Sequence, residues 1–236
     1  MDKVIEMREK WIDEDFPPMF GSLYDQANDY QRAKPEKFMK LEWKRASEIF
    51  SEPVIFNDIN PDDISQGCLG DCYFLAVLSA LAEFPERIKA LFVTQEVNDA
   101  GIYLMKFHIN GVEKLVMVDD YLPIRQDGSL AFAGAKEGEL WVSLLEKGWA
   151  KLHQTYARIE GGLPCHAYTH LSGAPSESIH HSSIDDQSAF WKLLLRADNN
   201  KYTIIAASYG EGEKQNDLGI ISGHAYTIIS VHDVCI

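Results

Sequence analysis

The chain has 236 residues, 46% of them hydrophobic and 25% charged, with a formal net charge of −14. That composition suits a soluble globular protein with material for one large core or two modest ones, and the acidic balance argues against a nucleic-acid surface while leaving room for cations. The first ten residues, Met1 to Lys10, are too charged for a secretory signal, so the four cysteines at 68, 72, 165 and 235 are expected as reduced thiols of the cytoplasm.

Residues 1–52 are charged and aromatic, broken by Pro17-Pro18 and Pro35, and predict short surface helices such as Glu36 to Phe50. Turn-forming residues crowd 53–65, which reads as irregular. An apolar run from Tyr73 to Ala82 then has no polar face, so it predicts a buried helix ending near Phe84-Pro85; ten residues are too few to span a bilayer, and no transmembrane segment is expected. Ile102–His108 and Val112–Val118 flank Asn110-Gly111, the signature of a two-residue hairpin. Asp127-Gly128 marks another turn. Leu140, Trp141, Leu144, Leu145, Trp149, Leu152 and Tyr156 recur at helical spacing and predict a helix over Glu139–Tyr156. Gly161-Gly162 opens a Gly/Ser/Pro-containing stretch through Pro175 that reads as a seam between subdomains. Beyond it come a helix over Asp186–Ala197, with Phe190, Leu193, Leu194 and Ala197 on one face, and apolar strands over Tyr202–Tyr209 and His224–Ile236. A charged loop from Gly210 to Gly219 joins the strands.

Two segments carry chemistry. Gly67, Gly70 and Asp71 supply turn and helix-start residues, placing Cys72 in the first turn, where unpaired N–H groups and the helix dipole favour a thiolate. Taken alone, a cysteine in an apolar helix is more often a small core residue than a nucleophile. Downstream, Gly219 to Val231 sets His224 at the start of an apolar strand after a loop. A helix-start Cys early in the chain and a strand-start His much later is the nucleophile and base arrangement of papain-like proteases. Cys68 and Cys72 also permit a thiol redox pair. They lack a second pair at zinc-ligand spacing, and Cys165-His166 and His180-His181 read as surface-loop residues, so neither zinc nor an organic cofactor is expected.

Gln66-Gly67-Cys68-Leu69-Gly70-Asp71-Cys72-Tyr73, with Gly223-His224-Ala225-Tyr226 downstream, resembles the catalytic core of the calpain family of intracellular cysteine proteases. The likeness extends to Asp13-Glu14-Asp15-Phe16-Pro17-Pro18, Trp43-Lys44-Arg45, Val118 to Pro123, Glu139-Leu140-Trp141, Leu144 to Lys147 and Gly161-Gly162. It implies a papain-like α/β (α+β) fold: an arm over 1–52, a helical nucleophile subdomain over 53–172 and a sheet-rich His subdomain over 173–236. It further implies limited, calcium-regulated proteolysis of protein substrates in the cytoplasm, with further calpain domains C-terminal to this chain. Cys72 would be nucleophile and His224 base, Gln66 and the Cys72 N–H would form the oxyanion hole, and Gly162 and Gly223 would lie along the substrate backbone. Asp63 and Glu139, with carbonyls of Phe56 and Asp58, match the family's calcium ligands, and replacing Glu139 by Gln is then expected to spare the ion-free fold. Three departures stand out: Tyr73 replaces the family's usual Trp, and Cys68 a common Ala. No Asn-Pro-Trp-Gly motif follows within the twelve residues after His224 (236 − 224), so the Asn that orients the base is absent from this sequence. The sequence thus leaves open a catalytically inactive calpain-like interaction module.

Overall fold

The structure is a computed structural model describing residues 10–29, 33–210 and 214–233. In chain order the described residues form helix α1 (Phe20–Leu23), strand β1 (Glu42–Arg45), α2 (Ala46–Ile49), α3 (Cys72–Ala82), α4 (Pro85–Lys89), the hairpin β2 (Ile102–Ile109) and β3 (Val112–Asp119), β4 (Tyr121–Ile124), α5 (Trp141–Leu152), α6 (Pro164–Ser172), α7 (Gln187–Asn199), β5 (Ile204–Ala207) and β6 (Ala225–Ile228). No helix among them is long and apolar enough to cross a membrane.

Helix α3 sits at the centre because it has no face to offer water. Of its side chains only Cys72 and Ser79 escape full burial. Phe74 stacks on Trp149 of α5 at 5.3 Å between ring centroids, and Phe107 of the hairpin covers the same indole at 6.2 Å. Helix α5 is buried along its length from Trp141 to Ala150, as its Trp/Leu stripe requires. Its helical part is shorter than Glu139–Tyr156, because the chain turns at His153 and Tyr156 continues into a separate short turn over Ala157–Ile159.

The hairpin forms in the predicted register, Ile109 opposite Val112, with Asn110 (φ 53°) and Gly111 (φ 76°) both left-handed, as a type I′ turn demands. Glu36 to Phe50 does not form the predicted helix. Instead β1 pairs antiparallel with β4, Glu42 opposite Ile124 through Arg45 opposite Tyr121; Glu36 and Lys37 belong to a single 3-10 turn, and Ala46–Ile49 forms one short α-helical turn. Tertiary pairing with β4 overrides local preference there. Phe16, Leu23, Tyr24 and Phe38 from the first fifty residues are buried in the same core as α3 and α5. Within the stretch read as a seam, Pro164–Ser172 folds as α6, started by Pro164 and stopped by Gly173 at φ 70°. Cys165 and His166 therefore lie on a helix that packs against α3 and β2, not in a loop.

Toward the C-terminus the strands are shorter than read from the sequence. Ile204–Ala207 pairs with Ala225–Ile228 as a two-stranded ribbon, Ile204 opposite Ile228. The end of the predicted last strand, 234–236, and part of the connecting loop, 211–213, lie outside the described residues. Helix α7 forms as expected, capped by the Asp186 carboxylate accepting from the Ala189 N–H at 3.0 Å. None of its side chains is fully buried, however, and Leu193 remains 45% exposed.

Ionic pairs tie the first segment to this core. Lys147 and Asp119, both fully enclosed, form an ion pair, and the ammonium also donates to the Tyr121 carbonyl at 2.7 Å. Burial holds the Lys147 ammonium below its ordinary value, opposed by Asp119. Asp119 in turn accepts from the Asp13 N–H at 2.8 Å, and Lys151 pairs with the Asp13 carboxylate at 2.6 Å. Replacing Lys147 by Met strands a buried carboxylate and should lower stability by about 3–5 kcal/mol. A Lys147→Met, Asp119→Leu double variant should recover part of that loss, both read by urea unfolding.

Candidate active site

Cys72 is the first residue of α3, directly after Asp71, whose carbonyl accepts from the N–H groups of Phe74 (2.8 Å) and Leu75 (3.2 Å). The thiol thus stands at the end of the helix that carries unpaired N–H groups and positive potential. It is half-buried, as are Cys68 and Cys165, and all three are reduced.

The loop before it is sewn to two other segments. Ser65 and Gly134 exchange backbone hydrogen bonds of 2.8 and 3.1 Å, the Cys68 N–H donates to the Ala131 carbonyl at 3.0 Å, and the Gly161 N–H donates to the Gly70 carbonyl at 2.8 Å. Gly67 has a steric reason: a Cβ there would fall 2.4 Å from the Phe132 backbone. Gln66, predicted to serve an oxyanion, is exposed and uses one side-chain N–H to donate to the Leu69 carbonyl at 3.0 Å. Its amide is therefore held close to the turn that leads into Cys72.

Tyr73, standing where the resemblance expects Trp, is locked in place. Its hydroxyl accepts from the Trp149 indole N–H at 3.0 Å, and Gly162 lies flat on its ring, where a Cβ would come within 2.5 Å. Gly162 therefore has an intramolecular reason to be glycine, independent of any substrate.

His224 stands just before β6, half-buried, at the end of a tight turn in which Gly223 takes φ 64°. Ser208 braces that turn from the β5 side: its hydroxyl meets both the His224 N–H (3.1 Å) and the Ile221 carbonyl, and its own N–H donates to the His224 carbonyl at 2.9 Å. The imidazole packs edge-on against Tyr226 at 5.0 Å, and the Tyr226 hydroxyl accepts from the Ile221 N–H at 2.7 Å. The Thr227 hydroxyl donates to the Ala76 carbonyl at 2.8 Å. Ala76 is about one turn beyond Cys72 and Thr227 three residues beyond His224, so the strand of the histidine lies directly on the helix of the cysteine. Ser208 and Thr227 are absent from the sequence reading. No motif marks them, because their role depends on strands meeting across the fold.

A large cavity lies elsewhere. A cleft of 1720 Å³ opens between the hairpin, α6, α7 and β5, lined among others by His108, Tyr168, Leu193 and Tyr226, and neither Cys72 nor His224 borders it.

The residues matched to calcium converge but are already engaged. One Glu139 oxygen accepts from the Asn57 N–H and, at 2.7 Å, from the Asp58 N–H; the other accepts from the Trp141 indole at 2.8 Å. Asp63 faces Lys136 at 3.7 Å. Backbone hydrogen bonds from Leu140 to Val54 (2.8 Å) and Trp141 to Ile55 (3.2 Å) fix the irregular loop beside Glu139. By type and place the residues fit a hard cation. As arranged, two amide N–H groups and an ammonium hold the positions an ion would need. Glu139 therefore also serves the loop as a hydrogen-bond acceptor. Among the described residues no cluster of three or more His, Cys, Asp or Glu side chains is placed to hold a metal.

The sequence pattern of calpain family cysteine proteases matches residues 11–236. The chain belongs to the calpain family. A papain-like fold follows from that membership, in keeping with the mixed helices and small antiparallel sheets. Among curated relatives, the calpain-type cysteine protease DEK1 of Arabidopsis thaliana is 36% identical over 95% of this chain, and its Zea mays counterpart 38% over 95%; human calpain-14 is 33% identical over 83%. The chain spans only 11% of either DEK1 sequence and 29% of calpain-14.

Because Gly162 is pressed on Tyr73, a Gly162→Ala substitution should push the ring off its Trp149 bond. It should cost about 1–3 kcal/mol and change indole fluorescence, measured by chemical unfolding and emission spectra.

Proposed function

We propose that this calpain-family chain is the catalytic core of a thiol endopeptidase that makes limited cuts in cytoplasmic proteins, with Cys72 as nucleophile and His224 as base. The observation that supports it most is the seat of β6 on α3, which brings a strand-start imidazole to the helix whose first residue is a thiol. In this reaction the Cys72 proton passes to the His224 imidazole and the thiolate attacks the scissile carbonyl carbon. The Cys72 N–H and the Gln66 amide meet the oxyanion, and Gly162 and Gly223 let the substrate backbone approach closely. Collapse of the intermediate expels the amine, which takes its proton from His224; water then releases the acyl group by the same route in reverse.

A peptidyl epoxide, followed by peptide mapping, tests this reading without requiring turnover. Cys72 should be alkylated in preference to Cys68 and Cys165, and His224→Ala should slow that alkylation by about 10²–10⁴-fold. Labelling of Cys68 or Cys165 with Cys72 untouched overturns the assignment.

Calcium regulation is the second part of the proposal, supported by the convergence of Asp63, Glu139 and the 56–58 loop. The Asp63 and Glu139 carboxylates and the carbonyls of Phe56 and Asp58 would hold the ion, and Asp63 would have to leave its contact with Lys136. Calcium should then raise the unfolding midpoint, with about 2.7 kcal/mol gained at a hundredfold excess over Kd. Magnesium should do so much less, Lys136→Ala should enhance the shift and Asp63→Asn should remove it. An unshifted midpoint at millimolar calcium rules out this part while leaving the thiol chemistry standing.

A further inference from the structure

The carboxyl directly behind the nucleophile has no ordinary partner. Asp71 is fully buried, it makes no capping hydrogen bond to the helix it precedes, and neither of its oxygens meets a conventional donor among the described residues. What faces it is a second acid, Glu146 of α5, itself 1% exposed. Glu146 is held by the Ala133 N–H, 3.1 and 3.2 Å from its two oxygens, and the Ala133 carbonyl accepts from Ser143 at 2.8 Å. The same 131–134 segment carries the backbone bonds to Ser65 and Cys68, so Glu146 grips the strip on which the Gln66–Leu69 loop is laid.

The surroundings supply almost no positive charge. Lys37 acts on Asp71 from the arm, but it is already paired with Glu160, which acts in the opposite sense. Lys147, next to Glu146 in sequence, points to Asp119. The remaining titratable neighbours are Cys68, which acts on Glu146, and the buried Tyr156 hydroxyl, itself held up by burial, Glu146, Asp119 and Asp71. Two carboxylates in contact in such a place cannot both ionise at little cost.

We propose that Asp71 and Glu146 share a single proton, forming an acid–carboxylate clasp that joins the start of α3 to α5 and sets the charge behind the Cys72 thiol. The shared proton sits on Glu146, which donates to the Asp71 carboxylate while its other lone pairs take the Ala133 N–H. Both are positioning residues, and their link to catalysis rests on the proposed role of Cys72. Burial first, and then each other's charge, pushes Glu146 well above the ordinary carboxyl range; burial lifts Asp71 from 3.8 to about 7. Because both folded values are raised, protonation of the pair contributes stability that is complete at pH values below 3.8; one proton leaves as pH rises through about 7, leaving the single shared proton, and the rest of that stability is lost only when Glu146 ionises at higher pH. Loss of the proton also places a second negative charge beside the thiol, which disfavours the thiolate.

Glu146→Gln is the informative variant, because a glutamine amide imitates the protonated acid: it donates to Asp71 and accepts from Ala133. In wild type an infrared band of a protonated carboxyl should persist at neutral pH, and the unfolding midpoint should fall as pH rises toward alkaline values. In Glu146→Gln the band should vanish and that fall should flatten. Rates of iodoacetamide alkylation at Cys72, followed against pH by peptide mapping, should coincide in wild type and variant where Glu146 holds its proton, and wild type should fall behind by up to about tenfold once Glu146 ionises, the equivalent of about one unit in the apparent thiol pKa. A merely structural contact would not move that profile. Should the variant not fold, Asp71→Asn serves in its place, and the wild-type band stands alone as a readout. Absence of the band, or a variant with the wild-type pH slope, overturns the clasp. Failure of the nucleophile assignment would show instead as a clasp band with an epoxide-silent Cys72.

Discussion

A helix that is apolar on every side has to be enclosed on every side, and the architecture is the set of elements that enclose α3. Helix α5 and the β2–β3 hairpin close over it through the Phe74–Trp149–Phe107 stack, α6 takes another flank, and the β5–β6 ribbon the next. Each large side chain removed from water contributes about 1.5–3 kcal/mol, whereas an isolated helix this short has almost no stability of its own. Enclosure also fixes position. Because the body of α3 cannot shift without opening the core, its first residue is presented at one place, and that residue is Cys72.

Charge inside this core follows two patterns. Where an acid and a base are buried together, as in Lys147–Asp119 and Arg45–Asp120 (2.6 Å), each pair joins segments distant in sequence and makes one register of β1, β4 and α5 cheaper than its neighbours. Asp29 does the same for the arm, accepting from Thr155 at 2.7 Å and Arg158 at 2.9 Å. Behind Cys72 the pattern changes to acid against acid. Two full negative charges there would disfavour a thiolate at Cys72. One shared proton leaves an intermediate field.

The parts of this picture that were legible in the sequence are those with a local cause. Asn110-Gly111 dictates its turn through backbone sterics, and the unbroken apolar run from Tyr73 dictates burial whatever surrounds it. The family resemblance rested on short contiguous motifs, and the match over residues 11–236 bears it out. What was not legible depends on partners. Glu42–Arg45 becomes a strand only because β4 is there to pair with it, and Glu139 reads equally well as a metal ligand or as an acceptor until the amides of Asn57 and Asp58 are seen pointing at it. The glycines at 161–162 mark the start of a stretch read as a seam between subdomains, and what the sequence does not show is that Gly162 is clamped on Tyr73 and that a helix follows two residues later.

The two halves of the candidate site are held with unequal firmness, and the inequality bears on how it works. Cys72 belongs to the enclosed side. His224 belongs to a ribbon of two strands and to the neighbourhood of α7, a helix with no fully buried side chain. Across that side the ties to the core include the Thr227 bond to Ala76 and the Arg87 guanidinium, which donates to the Lys201 carbonyl at 2.6 Å. Polar bonds at part-exposed positions are each worth only about 0.5–1.5 kcal/mol net. The position of His224 relative to α3 is therefore set less by the local turn that Ser208 and Tyr226 brace than by how β6 sits on α3. Anything that strengthens or shifts that seat moves His224 relative to Cys72 while leaving the core around α3 intact.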